Sequence, residues 1–308
     1  MRRLIAYAAL VALAASCSNA RPKPTPTPSP SPTAVTNTFP VKGHPAAITA
    51  DASSVWFTDD LGDAVARVDA TTAKEIWRTK ICKAAPAMVH VHGVLWLVCS
   101  LDNMVMRVDA ATGKVLGKVK TGGDPVDVTY GFGSLWTANL KDKTITRIDE
   151  KTARPTATIK VPPGVVRVSA GHGAVWVTGE GSTVIRVDPK TNALTGDPVT
   201  VGSGPLGIDA SGAYVWVSIG SPGSLLGIDP TFQKPKGPFT IGGSGGEIAQ
   251  AGDRVWVTDA PSQTVYGLDI PSGATITTPI AATPARITWS GTFVWVACDQ
   301  PDELIRIG

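Results

Sequence analysis

The sequence predicts an all-β fold, a seven-bladed β-propeller, on three observations. A tryptophan recurs at a fixed interval, each one sits in an alternating strand pattern, and the chain ends one strand short of a complete blade. The hydrophobic–Trp pair appears at Trp56, Trp96, Trp136, Trp176, Trp216, Trp256 and Trp295, spaced 40 residues apart five times and then 39. A period of that size marks a repeated supersecondary unit and must be read before any local assignment.

Within each period the elements follow in order. Val55-Trp56-Phe57, Val175-Trp176-Val177 and Val255-Trp256-Val257 alternate as a half-buried strand would. About twelve residues later a second strand ends in a basic–aliphatic–acid triplet: Arg67-Val68-Asp69, Arg107-Val108-Asp109, Arg147-Ile148-Asp149 and Arg186-Val187-Asp188. It weakens to Gly227-Ile228-Asp229 and Gly267-Leu268-Asp269 and ends as Arg306-Ile307-Gly308. Turn formers such as Pro189-Lys190-Thr191-Asn192 follow most of the acids, as a hairpin requires. A third strand then leads into a Gly/Pro-rich loop, Val201-Gly202-Ser203-Gly204-Pro205 for example, and a short strand begins after it. Four short antiparallel strands per period without a helix describe a propeller blade. The chain stops at Gly308, after the third strand of the seventh blade. Residues 35–42 carry the outer-strand pattern and are expected to complete it. Closure of that kind removes exposed edges. The seven Trp side chains are then core, packed between blades.

The first 34 residues read as an address. Arg2 and Arg3 precede a 12-residue apolar run from Leu4 to Ala15, shorter than a bilayer span and suited to a signal peptide over residues 1–16. Leu13-Ala14-Ala15-Ser16-Cys17 resembles the bacterial lipobox, with Ala14 where Leu is preferred. The resemblance implies lipidation (palmitate included) at Cys17. An ordinary signal peptide cut near Ala20 is the other reading. Arg21 to Thr33 has Pro at nearly every second position, a semi-rigid linker over residues 17–34 that would hold a domain about 40 Å from a membrane. Residues 1–34 hold four basic residues and no acid, which leaves 24 basic against 25 acidic residues in the remainder. A body so near neutral lacks the basic face of a nucleic-acid binder.

The run Ala174-Val175-Trp176-Val177-Thr178, followed by Thr183-Val184-Ile185-Arg186-Val187-Asp188-Pro189 and a Gly-Pro loop, resembles YVTN-type β-propeller repeat proteins. It also resembles the related streptogramin (virginiamycin B) lyase-like propellers. The resemblance spans residues 35–308. For the lyase branch it implies a metal held by His and Glu at one mouth, in blades repeating His-Gly-Pro and Trp-Phe-Thr-Glu. Here only Gly43-His44-Pro45 with Trp56-Phe57-Thr58-Asp59 approaches that pattern, and the Glu is absent from every blade, so no catalytic residue is carried over.

Site candidates therefore come from the residues themselves. Aligning the blades on the loop before the first strand places Ala47, Met88, Asp127, Arg167, Gly207, Glu247 and Arg286 at one position facing a central channel. Their neighbours Ile48, Val89, Val128, Val168, Ile208, Ile248 and Ile287 are expected between blades. Asp127, Arg167, Glu247 and Arg286, with His44 and Asp124 at the same mouth, could grip a small polar or zwitterionic ligand. Mutual pairing of these charges is the alternative. His90 and His92 share a strand face at the opposite mouth, with His172 two blades away, too few for a zinc site. Gly242-Gly243-Ser244-Gly245-Gly246 matches the nucleophile-elbow pattern but falls in an inter-blade loop, where the strand–helix context of that motif is missing. Cys82 and Cys99 are expected at one mouth of blade 2 as a disulfide, leaving Cys298 unpaired. Together these features describe a monomeric binding or interaction module on the extracytoplasmic face of a bacterial cell membrane, lipid-anchored, with no cofactor and no metal. Its partner would be an envelope protein or a small polar ligand at the propeller mouth. The alternatives are a metal-dependent lyase-like enzyme at the same mouth and a purely structural envelope role.

Overall fold

The computed structural model describes residues 35–308 apart from 165, 180, 221 and 232. The signal peptide, Cys17 and the Pro-rich linker lie outside the described residues. The chain is a seven-bladed β-propeller. No helix among the described residues is long and apolar enough to cross a membrane.

Blade 1 shows how the sequence builds the unit. β2 (Pro45–Ala50), β3 (Ser54–Asp59), β4 (Ala64–Asp69) and β5 (Glu75–Lys80) pair in that order as an antiparallel meander, innermost strand first. β3 is buried at all six positions. It is thus covered on both faces, where the alternation predicted a half-buried strand: neighbouring blades press on each side. β5, the outer strand, is largely exposed, and its Glu75, Arg78 and Lys80 suit that position. In blade 4 the outer strand breaks into Ala193–Leu194 and Val199–Thr200, across a turn containing Gly196 at φ +64 and Pro198.

Each residue of the basic–aliphatic–acid triplet has a separate task. Arg67 pairs across the strands with Trp56, its guanidinium 5.7 Å from the ring centroid, and Arg107, Arg147, Arg186 and Arg306 repeat this over their own Trp. In blades 5 and 6 the partner is glycine. A Cβ on Gly227 or Gly267 would lie 3.1 Å from Trp216 or Trp256, so the indole covers the glycine instead. The aliphatic residue enters the core. The acid anchors the following turn: Asp69 Oδ1 accepts from the amides of Thr71 and Thr72 and from Thr72 Oγ1. Asp109, Asp149 and Asp269 do the same with Thr112, Thr152 and Ser272, and these bonds hold all four carboxyls below their ordinary value.

The seven repeat Trp side chains are at most 3% exposed, and each packs on the second and third strands of the next blade. Trp56 meets Leu95, Leu97 and Val108, and the series ends with Trp295 against Val55, Phe57 and Val68 of blade 1. The ring is closed by β1 (Val35–Pro40), which pairs antiparallel with Glu303–Ile307 as the outer strand of blade 7. Phe39 stacks on Trp295 at 5.7 Å. Cys82 and Cys99 are joined by a disulfide across a separation of 17 residues. A loop of that size gives about 3 kcal/mol. Replacing both cysteines by alanine should lower the urea unfolding free energy by that amount, and an unchanged midpoint would show that the bond constrains nothing.

Candidate functional site: the central channel

The innermost strands line the channel and touch one another around the ring. As the open edges of their blades they need partners for their backbone amides. Side chains of the preceding blade supply several. Asp127 Oδ2 accepts from Val168 N at 2.9 Å, Ser169 Oγ from Ala210 N at 2.9 Å and Asp209 Oδ2 from Gln250 N at 2.7 Å.

At the front face, where these strands begin, four of the predicted charges converge. Glu247 Oε1 accepts from Arg167 Nε at 2.9 Å and from Arg167 Nη2 and Arg286 Nη1. Arg167 Nη1 also donates to Val166 O at 3.0 Å, and Arg286 Nε to Ala46 O at 3.2 Å. Burial opposes ionisation of Glu247, but the two guanidiniums outweigh it and hold its carboxyl below the usual range. Asp127 goes the other way. Burial, partly offset by Arg167, pushes it from 3.8 to about 6. The folded protein therefore holds this proton more tightly than the unfolded chain does. Stability at this site is undiminished below about pH 4 and falls as pH rises towards 6. Asp127→Asn, whose amide oxygen can still meet Val168 N, should stabilise the protein by about 1–3 kcal/mol above pH 6 and leave it unchanged near pH 3.5. Urea titrations at the two pH values check this, and equal effects at both would overturn it.

One member of the predicted ring is displaced. In blade 2 the backbone bond from Val98 N to Ala87 O, with Met88 opposite Leu97, puts Ala87 at the ring position and Met88 one step deeper. Pro86 stands one residue later in its blade than Pro45 or Pro125, and that misdirects an alignment made on the loop. His44 and Asp124 do not join the charged cluster. His44 Nδ1 lies 2.9 Å from Asp302 and Nε2 3.7 Å from Asp299, across the closure between blades 7 and 1. Burial would lower its imidazole, yet Asp302, Asp60 and Asp299 prevail and raise it. Asp124 sits in a half-buried loop at φ +54, its amide donating to Asn103 Oδ1.

Above the charged cluster is a front cavity of about 320 Å³, bordered by Arg167, Glu247, Leu206, Ser244 and Pro261. Ser244 donates to Asp259, at the end of the second strand of blade 6, at 2.9 Å. Below it, on the back face where the inner strands end, a cavity of about 510 Å³ opens. Its floor is the aliphatic tier expected between blades, Ile48, Val128, Ile208, Ile248 and Ile287, with Met88 in place of Val89. Above that stand Thr49, Thr129, Ser169 and Thr288, and at the rim His90, Tyr130, Gln250 and Trp289. Sequence reasoning missed this cavity. The one available signal was Trp289, an aromatic outside the repeat register. His92, 71% exposed, contacts Glu150 at 2.6 Å, and Glu150 also accepts from Tyr130 Oη at 2.8 Å. Among the described residues no three His, Cys, Asp or Glu side chains are grouped to hold a metal. Cys298 is buried, which pushes its thiol far up.

The chain matches no protein-family profile, and no curated protein matches it in sequence. Among solved structures it is similar to the hydrazine synthase of Kuenenia stuttgartiensis, with a TM-score of 0.76, 15% identity and coverage of 87% of this chain and 96% of that one. It is also similar to the WD40 domain of Neurospora crassa Pan2, with a TM-score of 0.73, 12% identity and coverage of 86% and 89%. At these identities the likeness establishes the β-propeller fold.

Proposed function

We propose that this chain is a lipid-anchored, extracytoplasmic binding module whose ligand occupies the central channel. One observation carries the reading: the channel's charges pair with one another around Glu247, and a cavity lies on either side of them. Such an arrangement fixes a shape to be filled. The Cys17 lipobox and the Pro-rich linker support tethering at a bacterial envelope, and the YVTN-type repeat pattern supports the same class of protein. Leu61 and Leu101, 81% and 70% exposed in equivalent front-face loops of blades 1 and 2, offer contacts to an envelope partner.

The test is native mass spectrometry with metal analysis of the full chain, purified in detergent from its own host. The expected result is a diacylated Cys17 and a small molecule released on denaturation. A stoichiometric metal accompanied by turnover would replace binding with catalysis. An empty channel in a chain that captures another envelope protein would move the site to the rim, and an unmodified Cys17 would remove the anchor.

A further inference from the structure

The back cavity carries a narrower assignment, which rests on the channel-binding reading. Its wall is tiered by strand register, from the aliphatic floor through a band of hydroxyls to a rim of planar side chains. Trp289 is the anomaly of the rim. At the equivalent positions blades 1, 4 and 5 carry Ala50, Ala170 and Ala210. Trp289 is 36% exposed, against at most 3% for the repeat tryptophans. Tyr130 stands at the same level in blade 3, nearly across the ring from blade 7, and its hydroxyl bond to Glu150 fixes it in place. Two aromatic surfaces thus flank an opening whose inner wall is hydroxylated.

The charge of the cavity narrows the ligand further. Among the described residues none of those lining it is Lys or Arg. Asp209 is occupied by the amides of Ser211 and Gln250. Burial lowers His90, which keeps that wall neutral at physiological pH. An anion would find no cation here, and a wholly apolar ligand would offer nothing to the Thr49 and Thr288 hydroxyls, whereas Thr129 and Ser169 already accept from Ala170 N and Ala210 N. Ser and Thr hydroxyls both donate and accept, which suits a partner that does the same.

We propose that the back cavity binds a neutral sugar of one or two rings. The C–H face of a pyranose stacks on Trp289, and its hydroxyls meet Thr49, Thr288 and Gln250. Calorimetric titration of the full chain, in a detergent without a sugar headgroup, tests this with cellobiose, maltose, trehalose and N-acetylglucosamine. At least one should bind with a dissociation constant below about 10 mM, weakened at least about tenfold by Trp289→Ala and largely retained by Trp289→Phe. Leu194→Ala, on the outer strand of blade 4 and remote from the cavity, should leave binding unchanged, and circular dichroism should show Trp289→Ala folded. Binding indifferent to Trp289→Ala, or no binding by any of the four sugars, overturns the assignment. If a non-sugar molecule then copurifies in the channel, only the sugar class falls. If nothing copurifies and nothing binds, the channel-binding reading falls with it.

Discussion

Deletion of residues 35–42 is expected to destabilise the propeller by at least about 3 kcal/mol and to make it self-associate. β1 contributes a run of paired residues from Val35 opposite Ile307 to Pro40 opposite Glu303. It also brings Phe39 onto Trp295, and removing a packed Phe alone costs about 3–5 kcal/mol. Arg306 loses its contacts with Phe39 and Asn37 at the same time. The residue pattern then works against the truncated chain. Leu304, Ile305 and Ile307 are at most 1% exposed, and they lie on the strand that would become an unpaired edge. Such an edge is a template for pairing with another molecule. Urea unfolding and sedimentation at several concentrations read both effects. An unchanged midpoint with a concentration-independent mass would mean that the ring does not depend on this strand.

Glu247→Leu is expected to cost about 3–5 kcal/mol, because it leaves the Arg167 and Arg286 guanidiniums facing the channel without the carboxylate they share. The triple variant Arg167→Met, Glu247→Leu, Arg286→Met should recover most of that loss, since desolvating three charges is itself unfavourable. In the single variant the proton on Asp127 should also loosen. The negative charge of Glu247 helps hold it, while Arg167 and Arg286 pull the other way and would no longer be offset. A loss below about 1 kcal/mol in the single variant would mean that water, not Glu247, satisfies the two arginines.

The fold was largely legible because its core is periodic. Each Trp meets the same neighbours one blade on, so one spacing carries blade count, strand order and closure. What the spacing hid was the reason for its own exceptions. Gly227 and Gly267 look like a decayed triplet until Trp216 and Trp256 are seen lying over them. At the channel, sequence alignment brought Asp127, Arg167, Glu247 and Arg286 to one level but could not say which would pair. That depends on side-chain reach across the ring: Glu247 spans to blades 4 and 7, while Asp127 turns to the backbone of Val168. His44 and Asp124 lie in front-face loops, where local partners hold them away from the cluster. The back cavity was illegible because its rim is built from strand ends, where the repeats diverge and Tyr130, Gln250 and Trp289 share no motif.

The closing strand also fixes how the ring answers to force. The chain enters at Val35 and runs beside Glu303–Ile307 before its first turn. A pull on Val35 directed along the strand axis would load the rungs of the β1 ladder in shear together. The same pull delivered at right angles to the strand would unzip them one after another. The joint of blade 7 is made by strands that are not consecutive in the chain, so its strength under load depends on the direction of the force.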